Sequence, residues 1–145
     1  HPSRLEDLRK RASRAGVDII ESRVIDSSKV IKRLEGSADG LLLDVPCSGL
    51  GVLRRKPDTK WKLTKEKVDG LISLQRELLG DYASIVKPGG RLVYATCSIL
   101  PQENEKNIAA FLEAFPHFKL EKEVSLRPDK SGFDGFYMAR LKNCR

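Results

Sequence analysis

The spacing of apolar positions along the chain changes several times, and each change marks an element. From Pro2 to Ala15, Leu5, Leu8 and Ala12 recur at helical spacing among charged residues and Gly16 supplies a stop, which predicts an amphipathic helix. Ile19 to Ile25 reads as a strand ending at Asp26, and Ser27 to Leu34 as a short helix. Leu41-Leu42-Leu43 is an apolar run bounded by turn residues, the pattern of a strand buried on both faces, and it opens into Asp44-Val45-Pro46-Cys47-Ser48-Gly49-Leu50-Gly51. Arg54-Arg55-Lys56-Pro57-Asp58 is a basic loop. Thr64 is a good N-cap for a long helix through Leu71, Leu74, Leu78 and Tyr82 toward Val86. Lys87-Pro88-Gly89-Gly90 is expected to end that helix and reverse the chain into a strand over Arg91 to Ser98. Pro101 suits the first turn of a further helix, with Gln102, Glu103 and Glu105 near its positive end and Ile108, Phe111, Leu112 and Phe115 on its buried face. Two alternating runs, Phe118 to Leu126 and Phe136 to Leu141, predict an antiparallel pair.

Helices and strands that alternate in this way predict an α/β fold, a mostly parallel sheet with helices on both faces and an antiparallel C-terminal strand pair. Residues 1–145 have room for a single domain. In such sheets reactive groups collect beyond the carboxyl ends of the strands. Three strand ends here carry polar groups: Asp26; Asp44 with Cys47; and Thr96-Cys97-Ser98.

Composition narrows the classes. With 40% hydrophobic and 32% charged residues the chain is an ordinary globular one with a real core. No run reaches the roughly 18 apolar residues of a membrane helix, and the N-terminus lacks a secretory apolar region, so a soluble, cytoplasmic protein is the default expectation. A net charge of +7 suits a polyanionic partner such as nucleic acid. The cysteines Cys47, Cys97 and Cys144 are odd in number and widely separated, which argues against a disulfide framework or a zinc site, and no metal is expected. His1 and His117 carry no partner motif.

Each candidate has a plain structural reading beside the chemical one. Free cysteine packs well as a small hydrophobe, and one strand-end cysteine alone would be read as core. Two such residues, each followed by serine and one preceded by Asp44-Val45-Pro46, bring a chemical role level with the packing reading; Cys144, near the end of the chain, keeps the packing reading. Asp26 also suits the N-cap of the helix behind it, and Asp44 could stabilise the Pro46 to Gly49 turn. Pro88-Gly89-Gly90 is read as a chain reversal, Arg54-Arg55-Lys56 as a phosphate contact or a solvated face, and Trp61 as packing sooner than base stacking.

Taken in order, Asp44-Val45-Pro46-Cys47-Ser48-Gly49-Leu50-Gly51, Arg54-Arg55-Lys56-Pro57-Asp58, Pro88-Gly89-Gly90, Tyr94-Ala95-Thr96-Cys97-Ser98 and Asp134-Gly135-Phe136-Tyr137 resemble the motif set of the RsmB/Nop/Sun RNA (cytosine-5)-methyltransferases, over nearly the whole chain. The resemblance implies a Rossmann-like class I fold, S-adenosyl-L-methionine as methyl donor and a cytosine in RNA as acceptor, rRNA sooner than tRNA. It implies Cys97 as the nucleophile that adds to carbon 6 of the base, and Cys47 as the group assisting proton removal and release. It implies Asp44 beside donor and base, and Asp26 at the adenine end of the donor. The target base must leave its stack to reach these groups.

The match departs at the front. Family members carry an upstream strand with a Gly-rich loop of the type Asp-x-Cys-x-x-Pro-Gly-Gly-Lys and a second strand ending in an acidic residue, and neither occurs in this chain. The chain is therefore expected to be the C-terminal part of a catalytic domain, truncated at its N-terminus, weak in donor binding and inactive alone, with no oligomer expected for the intact protein. A non-catalytic RNA-binding or ribosome-assembly scaffold is the main alternative and would need neither cysteine. A thiol redox protein is disfavoured by the 50-residue separation of the cysteines and the lack of a CxxC helix start. A DNA cytosine methyltransferase would use the Pro-Cys thiol, Cys47, as nucleophile.

Overall fold

A computed structural model describes residues 2–145, which fall into two compact units, 2–33 and 34–145. In the first, helix α1 covers Pro2–Arg14 and stops where Gly16 takes a left-handed φ of 66°, its last carbonyls meeting the Ala15, Gly16 and Val17 amides. Helix α2 covers Ser28–Arg33. The strand expected over Ile19 to Ile25 is not formed. The segment is irregular, Ile19 is 90% exposed, and Ile20, Val24 and Ile25 are exposed as well. A strand exists only as one side of a ladder, and no described residue pairs with this one.

The second unit holds strand β1 (Ala38–Asp44), a 3-10 turn (Leu50–Val52), helices α3 (Thr59–Lys62) and α4 (Lys65–Ala83), strand β2 (Val86–Thr96), helix α5 (Glu105–Ala114), strand β3 (Phe118–Leu126), the short helix α6 (Pro128–Ser131) and strand β4 (Phe136–Asn143). The sheet order is β1-β2-β4-β3. β1 and β2 run parallel, and β4 runs antiparallel to both β2 and β3. The class is α/β and the closing strand pair forms as the alternation predicts. Among the described residues the sheet is mixed, with one parallel and two antiparallel pairings.

Thr64 caps α4 as its residue type predicts, its hydroxyl accepting from the Lys67 amide at 3.4 Å. Lys87 to Gly90 is not a reversal. The chain turns at Ser84 and Ile85, and β2 already pairs at Val86 with Ala38; the ladder then resumes at Arg91 opposite Gly40, leaving the Pro-Gly-Gly stretch as a bulge within the strand. Gly89 takes a φ of 78° there, a conformation that suits glycine.

Period-two alternation places Leu92, Tyr94 and Thr96 of β2 and Tyr137, Ala139 and Leu141 of β4 on one face, all fully buried. Leu79 and Ala83 of α4 and Ile108 and Phe111 of α5 close over that face in a single apolar cluster. Each fully buried Leu, Ile or Phe there contributes about 1.5–3 kcal/mol. The opposite face is less covered: Leu42 is 67% exposed, so β1 is not buried on both sides as its apolar run suggests. None of the described helices is long and apolar enough to cross a membrane.

Two glycine backbones meet where the β1 and β2 loops pass the start of β4. The Gly51 amide donates to the Cys97 carbonyl at 2.9 Å, and the Gly135 amide donates to the Gly51 carbonyl at 2.7 Å. A Cβ on Gly51 would lie 2.2 Å from the Gly135 oxygen and 2.8 Å from the Cys97 oxygen, both backbone atoms that cannot swing aside. Gly51→Ala is therefore expected to destabilise the protein by about 1–3 kcal/mol, seen as a lower urea midpoint at unchanged slope; an unchanged midpoint would show that these loops can part.

Candidate active site

Cys47 lies three residues beyond the end of β1 and Cys97 follows the last residue of β2. Because the two strands are parallel and Asp44 stands opposite Ala95, both chains leave the sheet at the same end. The Cys47 and Cys97 Sγ atoms come within 3.2 Å, each side chain half-buried.

A buried polar cluster underlies this contact. Ser48 and Ser98, the residues after the two cysteines, lie with their hydroxyls 3.0 Å apart, and both hydroxyls donate to Oε2 of Glu103. Oε1 of Glu103 accepts from the Ser48 amide at 2.8 Å and from Nε2 of Gln75 at 2.9 Å. Gln75, on α4, also donates to the Pro46 carbonyl at 2.8 Å. On the other side Thr96 donates through its hydroxyl to Asn104 at 2.6 Å, and Asn104 returns a bond from Nδ2 to the Ser98 carbonyl at 3.0 Å. Asn107 on α5 donates to Oε1 of Gln75 at 2.9 Å, tying the two helices together beneath the loops. All of these polar side chains are buried, and the bonds offset the cost of removing them from water.

The thiols share a proton unequally. The Cys47 thiol donating to the Cys97 sulfur is the main cause that holds Cys97 down to about 7, with a smaller contribution from a backbone amide; burial and the charges of Asp44 and Glu103 act against it. The same hydrogen bond, followed by burial, pushes Cys47 far up. Near neutrality a substantial share of the pair therefore carries a thiolate at Cys97 and a protonated thiol at Cys47, an arrangement able to supply a nucleophile beside a proton donor.

Asp44 ends β1 exposed, and among the described residues its carboxylate makes no hydrogen bond or ion pair, so it does not brace the Pro46 to Gly49 turn. Asp26 lies in the first unit, exposed, accepting from the Ser27 hydroxyl at 3.3 Å just before α2. Cys144 is exposed near the end of the chain. Within the basic loop Arg55 is committed to Asp134 at 2.6 Å and Arg54 to the Gly132 carbonyl at 3.4 Å, which leaves the Lys56 ammonium without a hydrogen bond or ion pair among the described residues. Trp61 is 80% exposed with the Lys60 ammonium 4.6 Å from its ring, so the packing reading fails. Cys47 lines a cleft of about 400 Å³ with Leu63, Lys67, Gly70, Leu71 and Leu74. A second cleft of about 600 Å³ adjoins Ile99 and Gly51 and is walled by Leu53, Arg54, Arg127 and Phe133.

The sequence that brings these two cysteines together matches a known family over nearly its whole length. The family described as 16S rRNA methyltransferase RsmB/F matches residues 1–142. The chain belongs to the RsmB/F family. It is 45% identical over 113 residues to the ribosomal RNA small subunit methyltransferase B of Shewanella oneidensis, covering 71% of this chain and 26% of that protein. It is 32% identical over 160 residues to the probable ribosomal RNA small subunit methyltransferase B of Bacillus subtilis, covering 98% of this chain and 36% of that protein. Among solved structures, NSun6 from Pyrococcus horikoshii with SFG superposes with a TM-score of 0.85 at 26% identity, covering all of this chain and 40% of that one. The chain thus spans about a quarter to two-fifths of the length of these relatives.

For a methyl donor of the RsmB/F family, the chain offers Asp44: an uncommitted carboxylate at a strand end, an acceptor for hydroxyl or amino groups and a counter-charge for a cation. That chemistry fits. Glu103, Gln75, Asn104 and Asn107 had no place among the sequence candidates; the signal for Glu103 was a serine directly after each cysteine, two hydroxyls in need of a shared acceptor.

The pH dependence of thiol alkylation checks the electrostatics. Only the thiolate reacts, so Cys97 is expected to gain reactivity as pH rises through about 7. Cys47→Ala removes the hydrogen bond that lowers Cys97 and should move the midpoint upward toward an ordinary thiol near 8.5. A midpoint unmoved by that substitution would contradict the shared proton.

Proposed function

We propose that this chain is the C-terminal part of the catalytic domain of a cytoplasmic, S-adenosyl-L-methionine-dependent RNA methyltransferase that modifies carbon 5 of a cytosine, with small-subunit rRNA as the substrate class and Cys97 as the covalent nucleophile. The observation that carries this reading is the 3.2 Å contact between Cys47 and Cys97 with unequal hold on one proton. The names of the relatives support rRNA as the substrate, and the excess of positive charge supports an RNA partner.

Carbon 5 of cytosine is a poor nucleophile while the ring is aromatic. Addition of the Cys97 thiolate to carbon 6 breaks the aromaticity and makes carbon 5 enamine-like, dividing one hard step into easier ones. S-adenosyl-L-methionine, when bound, supplies an electrophilic methyl group, and Asp44 is the residue of the second unit that would hold it; Asp26, in the first unit, stays the adenine-end residue that the resemblance implies. Asp44 also suits the ring edge of the base, where its carboxylate accepts from the exocyclic amino group.

The covalent step changes what Cys47 can do. Once the Cys97 sulfur is bonded to carbon 6 it carries no charge and no longer receives the Cys47 hydrogen bond as a thiolate. The largest influence holding the Cys47 proton then disappears, leaving burial as the main one. Cys47 can then give its proton to water, take the carbon 5 proton as that proton leaves, and stand again as the thiol beside the Cys97 thiolate that is released when the carbon 6 bond breaks. A scaffold without catalysis would not require this pair of thiols.

In the full-length protein carrying this chain, Cys97→Ala is expected to abolish both methylated RNA and any RNA–protein adduct. Cys47→Ala should allow attack but block release, so an adduct accumulates on denaturing gels while product falls by about 10²-fold or more. The reverse pattern would exchange the two roles, and methylation surviving both substitutions would end the reading.

A further inference from the structure

Glu103 sits in the turn before α5, five residues past Ser98, and is 0% exposed. Among the described residues no Lys, Arg or His makes an ion pair with it; instead it accepts four hydrogen bonds, the full acceptor capacity of a carboxylate. A buried charge without a cation is costly, and a residue that only filled this space would be better apolar. Its donors explain the choice. Three of the four belong to Ser48 and Ser98, the residues that follow the two cysteines. The fourth belongs to Gln75, which also holds the Pro46 carbonyl on the other side of Cys47. The Glu103 backbone is pinned in turn, its carbonyl accepting from the Tyr94 hydroxyl at 2.8 Å, and Tyr94 is a fully buried residue of β2.

We propose that Glu103 is a positioning residue: its buried carboxylate ties Ser48 to Ser98 and so holds the Cys47 and Cys97 sulfurs in contact. The role rests on the reading of the two cysteines as the reacting pair, but the placement concerns the thiols alone. Glu103 meets no solvent and therefore touches neither RNA nor donor. Its effect passes through the serines to the cysteine backbones. Only a residue that accepts at both ends of its side chain can serve. Glutamine keeps the reach but turns one acceptor into a donor, and aspartate keeps the charge but falls one methylene short.

The effective concentration of one thiol toward the other reads this placement directly. In a Cys144→Ser background the protein is equilibrated with mixtures of reduced and oxidised glutathione. The two protein thiols give up two protons and two electrons to form the Cys47–Cys97 disulfide, and one oxidised glutathione becomes two reduced ones. Glu103→Asp and Glu103→Gln are expected to lower the effective concentration by about tenfold or more, with circular dichroism and a cooperative melt retained. In Glu103→Asp, where the charge stays, the alkylation midpoint of Cys97 should also move up as the Cys47 contact loosens. Folded variants with unchanged effective concentration and midpoint overturn the proposal, and so does a lowered melting temperature as the sole change, since that is what a merely structural role would give. Should the Glu103 variants not fold, Ser98→Ala removes a single link and carries the same expectation and the same contrary result. No RNA or methyl donor enters the measurement, so its outcome is independent of whether methyl transfer proceeds as proposed.

Discussion

Everything at the candidate site follows from the parallel ladder between β1 and β2. With Asp44 opposite Ala95, the two chains leave the sheet side by side, and their next few residues bring two sulfurs within 3.2 Å. At that distance one proton serves both thiols, which is why Cys97 is held low and Cys47 high. An antiparallel pairing would send the two loops to opposite ends of the sheet. A slip of one residue would turn the buried face of β2 outward and take Tyr94 and Thr96 from their partners.

The price of that geometry is a polar interior beside the apolar one. Glu103, Gln75, Asn104, Asn107, Ser48 and Ser98 are all buried, each removed from water and compensated by hydrogen bonds. Such a cluster adds little net stability, since its bonds largely replace those made with water, but every unsatisfied member would cost about 1–3 kcal/mol. It therefore specifies one arrangement of the loops while the apolar cluster of α4, α5 and the sheet supplies the driving force. The same division appears at Gly51 and Gly135, where absent side chains let two backbones meet directly behind Cys97.

Local signals were the legible ones. Thr64 with the apolar spacing behind it located α4, and alternation located β3 and β4. Two cysteines each followed by serine at strand ends located the two thiols that meet. Signals that depend on a distant partner were not legible. Ile19 to Ile25 has strand-forming residues, yet a strand needs a neighbour to pair with. Pro88-Gly89-Gly90 has the composition of a turn, but it bulges out of a ladder already begun at Val86. Glu103 looked like an acidic residue favouring a helix start; what makes it a buried acceptor is the approach of Ser48, 55 residues earlier. Arg55 looked free for phosphate until Asp134 claimed it.

The claim at the centre is that Cys97 forms the bond to the base while Cys47 handles the proton. RNA carrying 5-fluorocytosine at the target position examines it without altering the protein, because fluorine cannot leave as a proton does and the covalent stage is arrested. Incubated with the full-length protein and S-adenosyl-L-methionine, then digested and mapped by mass, the trapped nucleotide is expected on the peptide containing Thr96-Cys97-Ser98. Attachment to the peptide containing Pro46-Cys47-Ser48, or no attachment at all, would contradict the account.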